Sequence, residues 1–186
     1  MTRWRHVAII ALLVACPAAA KEVADQPVQW KKRDGGNGHW YLAVSVPEGI
    51  NWVEAQVRAV ARGCRWHLAT ITSQEEQDFV FDLVTSKDET QPFWLGGFQR
   101  NATSEPDGEW RWVTDESFEF TSWRGGEPNN TALGPPETYP GVPDGSSEDF
   151  LSIEPGATWN DLHVNGLING YVLETESGSP KFCRGR

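Results

Sequence analysis

The chain has 186 residues and carries 26 Asp and Glu against 16 Lys and Arg, a formal charge of -10 at neutral pH. That length accommodates one ordinary domain and a short extension, since domains cluster at roughly 100–150 residues. The acidic balance, with no basic cluster set among aromatics, excludes the electrostatic footprint of a nucleic-acid binder and disfavours anionic partners.

At the N-terminus Arg3 and Arg5 precede an apolar run over residues 7–15. A charged start and a short apolar stretch form an export signal, too short to span a bilayer permanently, so residues 1–20 are expected to be a signal peptide and the protein to be exported. Two cleavage readings stand side by side. Ala18-Ala19-Ala20 offers small residues of the A-x-A kind, whereas Leu13-Val14-Ala15-Cys16 resembles the bacterial lipobox. On the lipobox reading, which ranks slightly ahead, Cys16 is acylated and the protein is attached to a membrane as a periplasmic or outer-membrane lipoprotein; on the other it is secreted in soluble form. With the leader removed, Cys64 and Cys183 remain, in neither a C-x-x-C nor a Cys/His arrangement. In an oxidising compartment such a pair more often bridges, contributing roughly 2–5 kcal/mol, with free buried thiols as the alternative.

Residues 21–38 are polar, end in Asp34-Gly35-Gly36-Asn37-Gly38, and read as a linker before a domain over residues 39–176; residues 177–186 form a C-terminal tail. Trp40-Tyr41-Leu42-Ala43-Val44 predicts a first strand. Residues 51–62 predict a helix: Asn51 and Glu54 make a capping-box start, and Val53, Val57 and Val60 with Ala55, Ala59 and Ala61 mark an apolar face. A short extended connector, His67-Leu68-Ala69-Thr70-Ile71, leads to a second helix. Ser73-Gln74-Glu75-Glu76 caps it, and Phe79, Val80, Leu83 and Val84 fall on one face. Thereafter short aromatic segments alternate with Gly, Pro, Asn and Asp. Residues 93–98, 110–113, 150–153 and 171–174 read as strands, 101–108 and 125–147 as loops, and 135–147 as a loop tip. A strand, two helices and then strands only argue for an α+β domain rather than a wound parallel sheet.

Glu127-Pro128-Asn129, then Glu148-Asp149, then Trp159-Asn160-Asp161 supply hard oxygen ligands from three segments. Ca²⁺ prefers this chemistry, taking six to eight oxygens at about 2.3–2.6 Å. With Trp52-Val53-Glu54-Ala55, His67-Leu68-Ala69-Thr70-Ile71, Trp94-Leu95-Gly96-Gly97, Trp110-Arg111-Trp112-Val113 and Trp123 in the same order, the chain resembles the C-type lectin-like domain from residue 39 to 176. The H-L-A-T-I and G-E-P-N-N versions look most like its bacterial branch. The resemblance implies a C-type lectin-like fold, two helices with antiparallel sheets and long calcium-binding loops. It also implies a non-enzymatic, calcium-dependent carbohydrate receptor, with a protein-recognition module on the same fold as the alternative.

The family pattern assigns Glu127, Asn129, Glu148, Asn160 and Asp161 both to Ca²⁺ and to a sugar, and expects a cis bond before Pro128. Two sugar hydroxyls would replace water on the ion while the acids accept and the amides donate hydrogen bonds; E-P-N is associated in relatives with mannose-type sugars. Asn130, Asp149 and the acids of residues 105–107 are candidates for a second ion. The chain departs from the family at Phe150 and Leu173, which stand where relatives carry cysteines. Cys64 and Cys183 lie near the places of the usual first pair, so a displaced bridge is implied. His39, His67 and His163 are scattered, and no nucleophile motif accompanies them, so no enzyme is expected. The tryptophans read as core rather than as a sugar-stacking platform.

Overall fold

The structure is a computed structural model, and it describes residues 21–63, 65–87, 90–99, 105–131 and 148–176. The expectations for residues 1–20 with Cys16, for Cys64 and Cys183, for the loop tip at 135–147 and for the tail at 177–186 lie outside the described residues. Among the described residues no helix is long and apolar enough to cross a membrane.

In chain order the elements are β1 (Val23–Ala24), β2 (Val28–Gln29), β3 (Trp40–Ile50), α1 (Trp52–Ala61), β4 (His67–Leu68), α2 (Gln74–Thr85), β5 (Phe93–Gln99), β6 (Trp110–Trp112), β7 (Phe150–Glu154), β8 (Thr158–Leu162) and β9 (Ile168–Thr175). The strands form one sheet along the path β1-β3-β9-β5-β7-β8, with β2 beside β3, β4 beside β9 and β6 beside β5. This is the α+β arrangement. The pairings are antiparallel except at Trp94 and Tyr171, where β5 runs parallel to β9 and joins the two halves of the sheet.

Both helices begin as their caps dictate: Asn51 accepts the Glu54 N–H at 2.8 Å, and Ser73 accepts the Glu76 N–H at 3.2 Å. Side chains alternate across β3, so Leu42, Val44 and Val46 pack with Trp52, Ala55 and Ala59 of α1, while Tyr41 and Ala43 pack with Val80 and Val84 of α2. The sheet thus separates two cores, each capped by one helix.

The buried face of α1 is not the one its valines mark. Ala55 and Ala59 are fully buried, whereas Val57 and Val60 are each 62% exposed. The small alanines let the helix axis approach the sheet closely, and the Trp52 indole fills the space beside them while donating to Leu95 O at 2.7 Å. A close approach also explains the glycines of Trp94-Leu95-Gly96-Gly97, since a Cβ on Gly96 would sit 2.6 Å from Leu68 O. The segment expected to be a linker is folded onto the sheet. β1 and β2 pair with β3, and Arg58 of α1 holds Glu22 at 3.0 Å.

Among the described residues, Trp52, Trp66, Trp94, Trp110, Trp112 and Trp159 are buried, and Trp30, Trp40 and Trp123 pack partly buried against the core, as expected.

Candidate functional site

The site grows from β8. Trp159 is anchored at its indole N–H, which donates to Gln77 Oε1 of α2 at 2.8 Å. Residues 122–124 dock alongside it: the Trp159 N–H donates to Ser122 O at 2.7 Å and the Arg124 N–H to Trp159 O at 2.9 Å. The Trp123 ring meets Trp159 edge-on with centroids 5.7 Å apart. These contacts fix where the next loop starts.

The loop then turns back over the strand. Gly126 takes φ +95°, a conformation other residues rarely adopt, and the Glu127–Pro128 bond is cis. The turn presents the Asn129 and Asn130 N–H groups to the Asp161 carboxylate at 3.0 and 2.8 Å. Asn130 Oδ1 accepts the Glu148 N–H at 2.9 Å. The Thr131 N–H donates to Glu148 Oε2 at 2.9 Å and to Asn129 Oδ1 at 2.8 Å. On the other side, Arg124 Nη2 donates to Glu127 Oε1 at 2.6 Å and to Asn160 Oδ1 at 3.2 Å. The five side chains of the site fall into two hydrogen-bonded sets: Asp161, Asn129 and Glu148 are joined through the backbone of residues 129–131, and Glu127 and Asn160 are joined through Arg124.

Its electrostatics are unbalanced. Asp161 is fully buried, Glu148 is 8% exposed and the Glu127 side chain is 5% exposed. Burial, followed by the charges of Asp161 and Glu127, pushes the Glu148 carboxyl up to about 7 despite the Thr131 N–H, which pulls it down. Burial likewise raises Asp161, against the lowering effect of the Asn130 and Asn129 amides. Arg124 is raised chiefly by its hydrogen bond to Glu127. Among the described residues, Glu127 Oε2 is buried without a hydrogen-bond partner. The raised Glu148 and Asp161, beside an orphaned carboxylate oxygen, mark a place short of positive charge.

The donor set fits a hard divalent cation: carboxylate and amide oxygens, with no sulfur or imidazole. Among the described residues, no group of three or more His, Cys, Asp or Glu side chains is close enough to form a metal cluster by itself. Part of the set is amide, and Arg124 bonds both Glu127 and Asn160. Asp161, expected as a ligand, uses its carboxylate to pin the loop through the Asn129 and Asn130 amides.

For the candidate second ion, Asn130 Oδ1 is engaged with Glu148 and Asp149 is 1% exposed. Neither Arg124 nor Thr131 was singled out from the sequence. A cation three residues before the E-P-N glutamate was the available signal for Arg124, and nothing in the local pattern pointed to Thr131.

A protein-family model for the lectin C-type domain matches residues 50–135. The chain is 32% identical over 165 residues to a perlucin-like protein of Mytilus galloprovincialis, covering 86% of this chain and 89% of that one. It is 30% identical over 139 residues to asialoglycoprotein receptor 2 of Homo sapiens, covering 73% of this chain but only 36% of the receptor. Among solved structures, the cow carbohydrate-recognition domain of CD23, crystallised in the presence of a GlcNAc2Man3 oligosaccharide, aligns with a TM-score of 0.59 at 19% identity, over 83% of this chain and 95% of that one. A calcium-independent type II antifreeze protein also aligns at 0.59 and 19% identity, over 94% of this chain and 100% of that one. At such identities the structural likenesses speak for the fold alone.

Proposed function

The chain belongs to the C-type lectin domain family, and from that premise we propose that it is an exported, calcium-dependent carbohydrate-binding module without enzymatic activity. The observation that carries this reading is the buried, unpartnered Glu127 Oε2 within a set of carboxylate and amide oxygens short of positive charge. Glu127, Asn129, Glu148, Asn160 and Asp161 would hold Ca²⁺. When bound, the ion supplies open coordination positions for two neighbouring sugar hydroxyls.

The side chains do the rest of the recognition. Glu127 and Glu148 accept hydrogen bonds from those hydroxyls, while the Asn129 and Asn160 amide groups donate to them. The Asp161 carboxylate, buried under the loop, keeps the Asn129-Asn130 backbone in place by accepting from both amides. The E-P-N order favours a mannose-type sugar. A shallow, wet site of this kind gives about a millimolar complex, near -4 kcal/mol, so avidity would require many copies. Lipidation at Cys16 would cluster them on a membrane, and a Cys64–Cys183 disulfide would suit the exported state.

The test is a multivalent glycan array run with calcium, with chelator, and with Asn160→Ala. Signal confined to wild type with calcium supports the reading. Signal that survives both chelator and mutation would establish the alternative, a recognition module that does not use the ion. That alternative is favoured by one observation, the commitment of the Asp161 carboxylate to the Asn129 and Asn130 amides.

A further inference from the structure

We infer that Arg124 is a tethered counter-cation that occupies the candidate ion site in the metal-free protein and competes with a divalent ion for Glu127 and Asn160. The inference rests on the calcium reading above.

Arg124 Nη2 alone makes both contacts, 2.6 Å to Glu127 Oε1 and 3.2 Å to Asn160 Oδ1. The guanidinium thus lies between two of the oxygens assigned to the ion. Its grip is incomplete. The fork that would engage both carboxylate oxygens is not used, and Glu127 Oε2 stays buried without a partner. The two members of the pair also differ in freedom: the Arg124 side chain is 53% exposed and that of Glu127 is 5% exposed. The carboxylate cannot leave, whereas the guanidinium can swing into water and remain solvated.

The root of the arm is fixed in either state. The Arg124 N–H is bonded to Trp159 O, and Arg124 O accepts the Glu127 N–H, both at 2.9 Å. The guanidinium is therefore always within reach. A unit positive charge and a divalent cation on the same carboxylate repel one another, and the seated guanidinium also holds Asn160 Oδ1, so each weakens the hold of the other. Two consequences follow. In the absence of ion, Arg124 shields Glu127 and holds it against β8. In its presence, the apparent affinity is lowered by the fraction of molecules in which the guanidinium is seated.

The test compares wild type, Arg124→Gln and Arg124→Lys by thermal unfolding in chelator and in saturating calcium, and by calorimetric calcium titration. Arg124→Gln should melt below wild type in chelator, and the deficit should vanish or reverse in calcium. Its calcium dissociation constant should fall about three- to tenfold, the size expected when a half-exposed charged hydrogen bond no longer competes. Arg124→Lys should fall in between. If wild type binds calcium and Arg124→Gln binds it equally or more weakly, or melts lower by the same margin in both conditions, Arg124 is a structural residue and the inference is overturned. If wild type shows neither heat nor a shift with calcium, the calcium reading itself is overturned, and the competition with it.

Discussion

Glu76 and Glu174 are each 2% exposed, as deeply buried as the carboxylates of the candidate site, yet they are satisfied in a different way. Glu76 Oε1 meets the Tyr41 hydroxyl and the Asn37 amide, and Oε2 accepts from the Thr72 N–H at 2.8 Å and its hydroxyl at 3.0 Å. Glu174 Oε1 meets His39 Nδ1 at 2.7 Å and the Tyr41 hydroxyl at 3.0 Å, and Oε2 accepts from the Thr70 N–H at 3.0 Å, with the Thr70 hydroxyl 3.0 Å away but closer to Glu116 Oε2, at 2.6 Å. The single Tyr41 proton cannot serve both acids, so one contact needs a proton on a carboxyl. Burial and the Glu174 charge raise Glu76, which suits it to hold that proton. This network is closed. At the candidate site an oxygen of Glu127 has no partner, and a half-exposed arginine stands in for the missing charge. Depth of burial is common to both clusters, and the difference is whether the fold itself supplies the donors. A closed set of acids serves stability; an open one is arranged for something that arrives from outside.

The comparison breaks if the two clusters respond alike to mutation. Glu174→Ala removes the acceptor for His39, Tyr41 and Thr70 at once, and should cost about 3–5 kcal/mol in denaturant unfolding. Glu127→Ala, measured in chelator, should change stability by less than about 1 kcal/mol, because the carboxylate it removes was poorly paired and its partner Arg124 is returned to water. Equal losses would mean that the site acids are structural.

Calcium sharpens the contrast with a smaller effect. For a dissociation constant near the 10⁻⁴–10⁻³ M of extracellular modules, about 10 mM calcium should stabilise wild type by about 1.4–2.7 kcal/mol. Asn160→Ala and Glu127→Ala should lose that increment. A conservative change in the closed network, Thr72→Val, should retain it, since Thr72 bonds Glu76 and touches none of the candidate ligands. An increment that survives in Glu127→Ala would relocate the ion.

What could be read from the sequence divides along the same line. The helix starts were legible because Asn51 with Glu54 and Ser73 with Glu76 act within one turn. The ligand types were legible because each of the three site segments carries its own motif. The buried face of α1 was not, because hydrophobicity ranks valine above alanine while close approach to the sheet selects the smaller side chain. β1 and β2 were hidden because strands of two residues in a polar segment have no periodicity; only their pairing with β3 makes them strands. Arg124 was missed for a similar reason. Its role comes from a residue 36 positions away, Asn160, which the local pattern cannot contain. Glu76 doubled as a helix-cap residue and a network acid, and only the first role is local.

The smallest expected effect concerns His39, which ties the chain entering β3 to β9. Its Nδ1 lies 2.7 Å from Glu174 Oε1, and its side chain is 25% exposed. The hydrogen bond to Glu174 raises its pKa above the ordinary value, burial opposes the rise, and the charges of Glu174, Glu176 and Glu76 add to it. A histidine whose folded pKa exceeds its unfolded value of about 6.5 stabilises the fold fully below that value, and the contribution is lost as pH rises through the folded pKa. The raised pKa of Glu76 works in the same direction, since an acid whose pKa is higher in the fold costs stability as pH rises. To first order Glu76 titrates in wild type and in His39→Gln alike, so the difference between the two proteins chiefly isolates the histidine. Wild type should therefore exceed His39→Gln in melting temperature by more at pH 6 than at pH 9, with both measured in chelator. A difference that is flat across that range, or that widens toward pH 9, would show that His39 is held by Glu174 as a neutral donor and that the closed network carries no titrating cation.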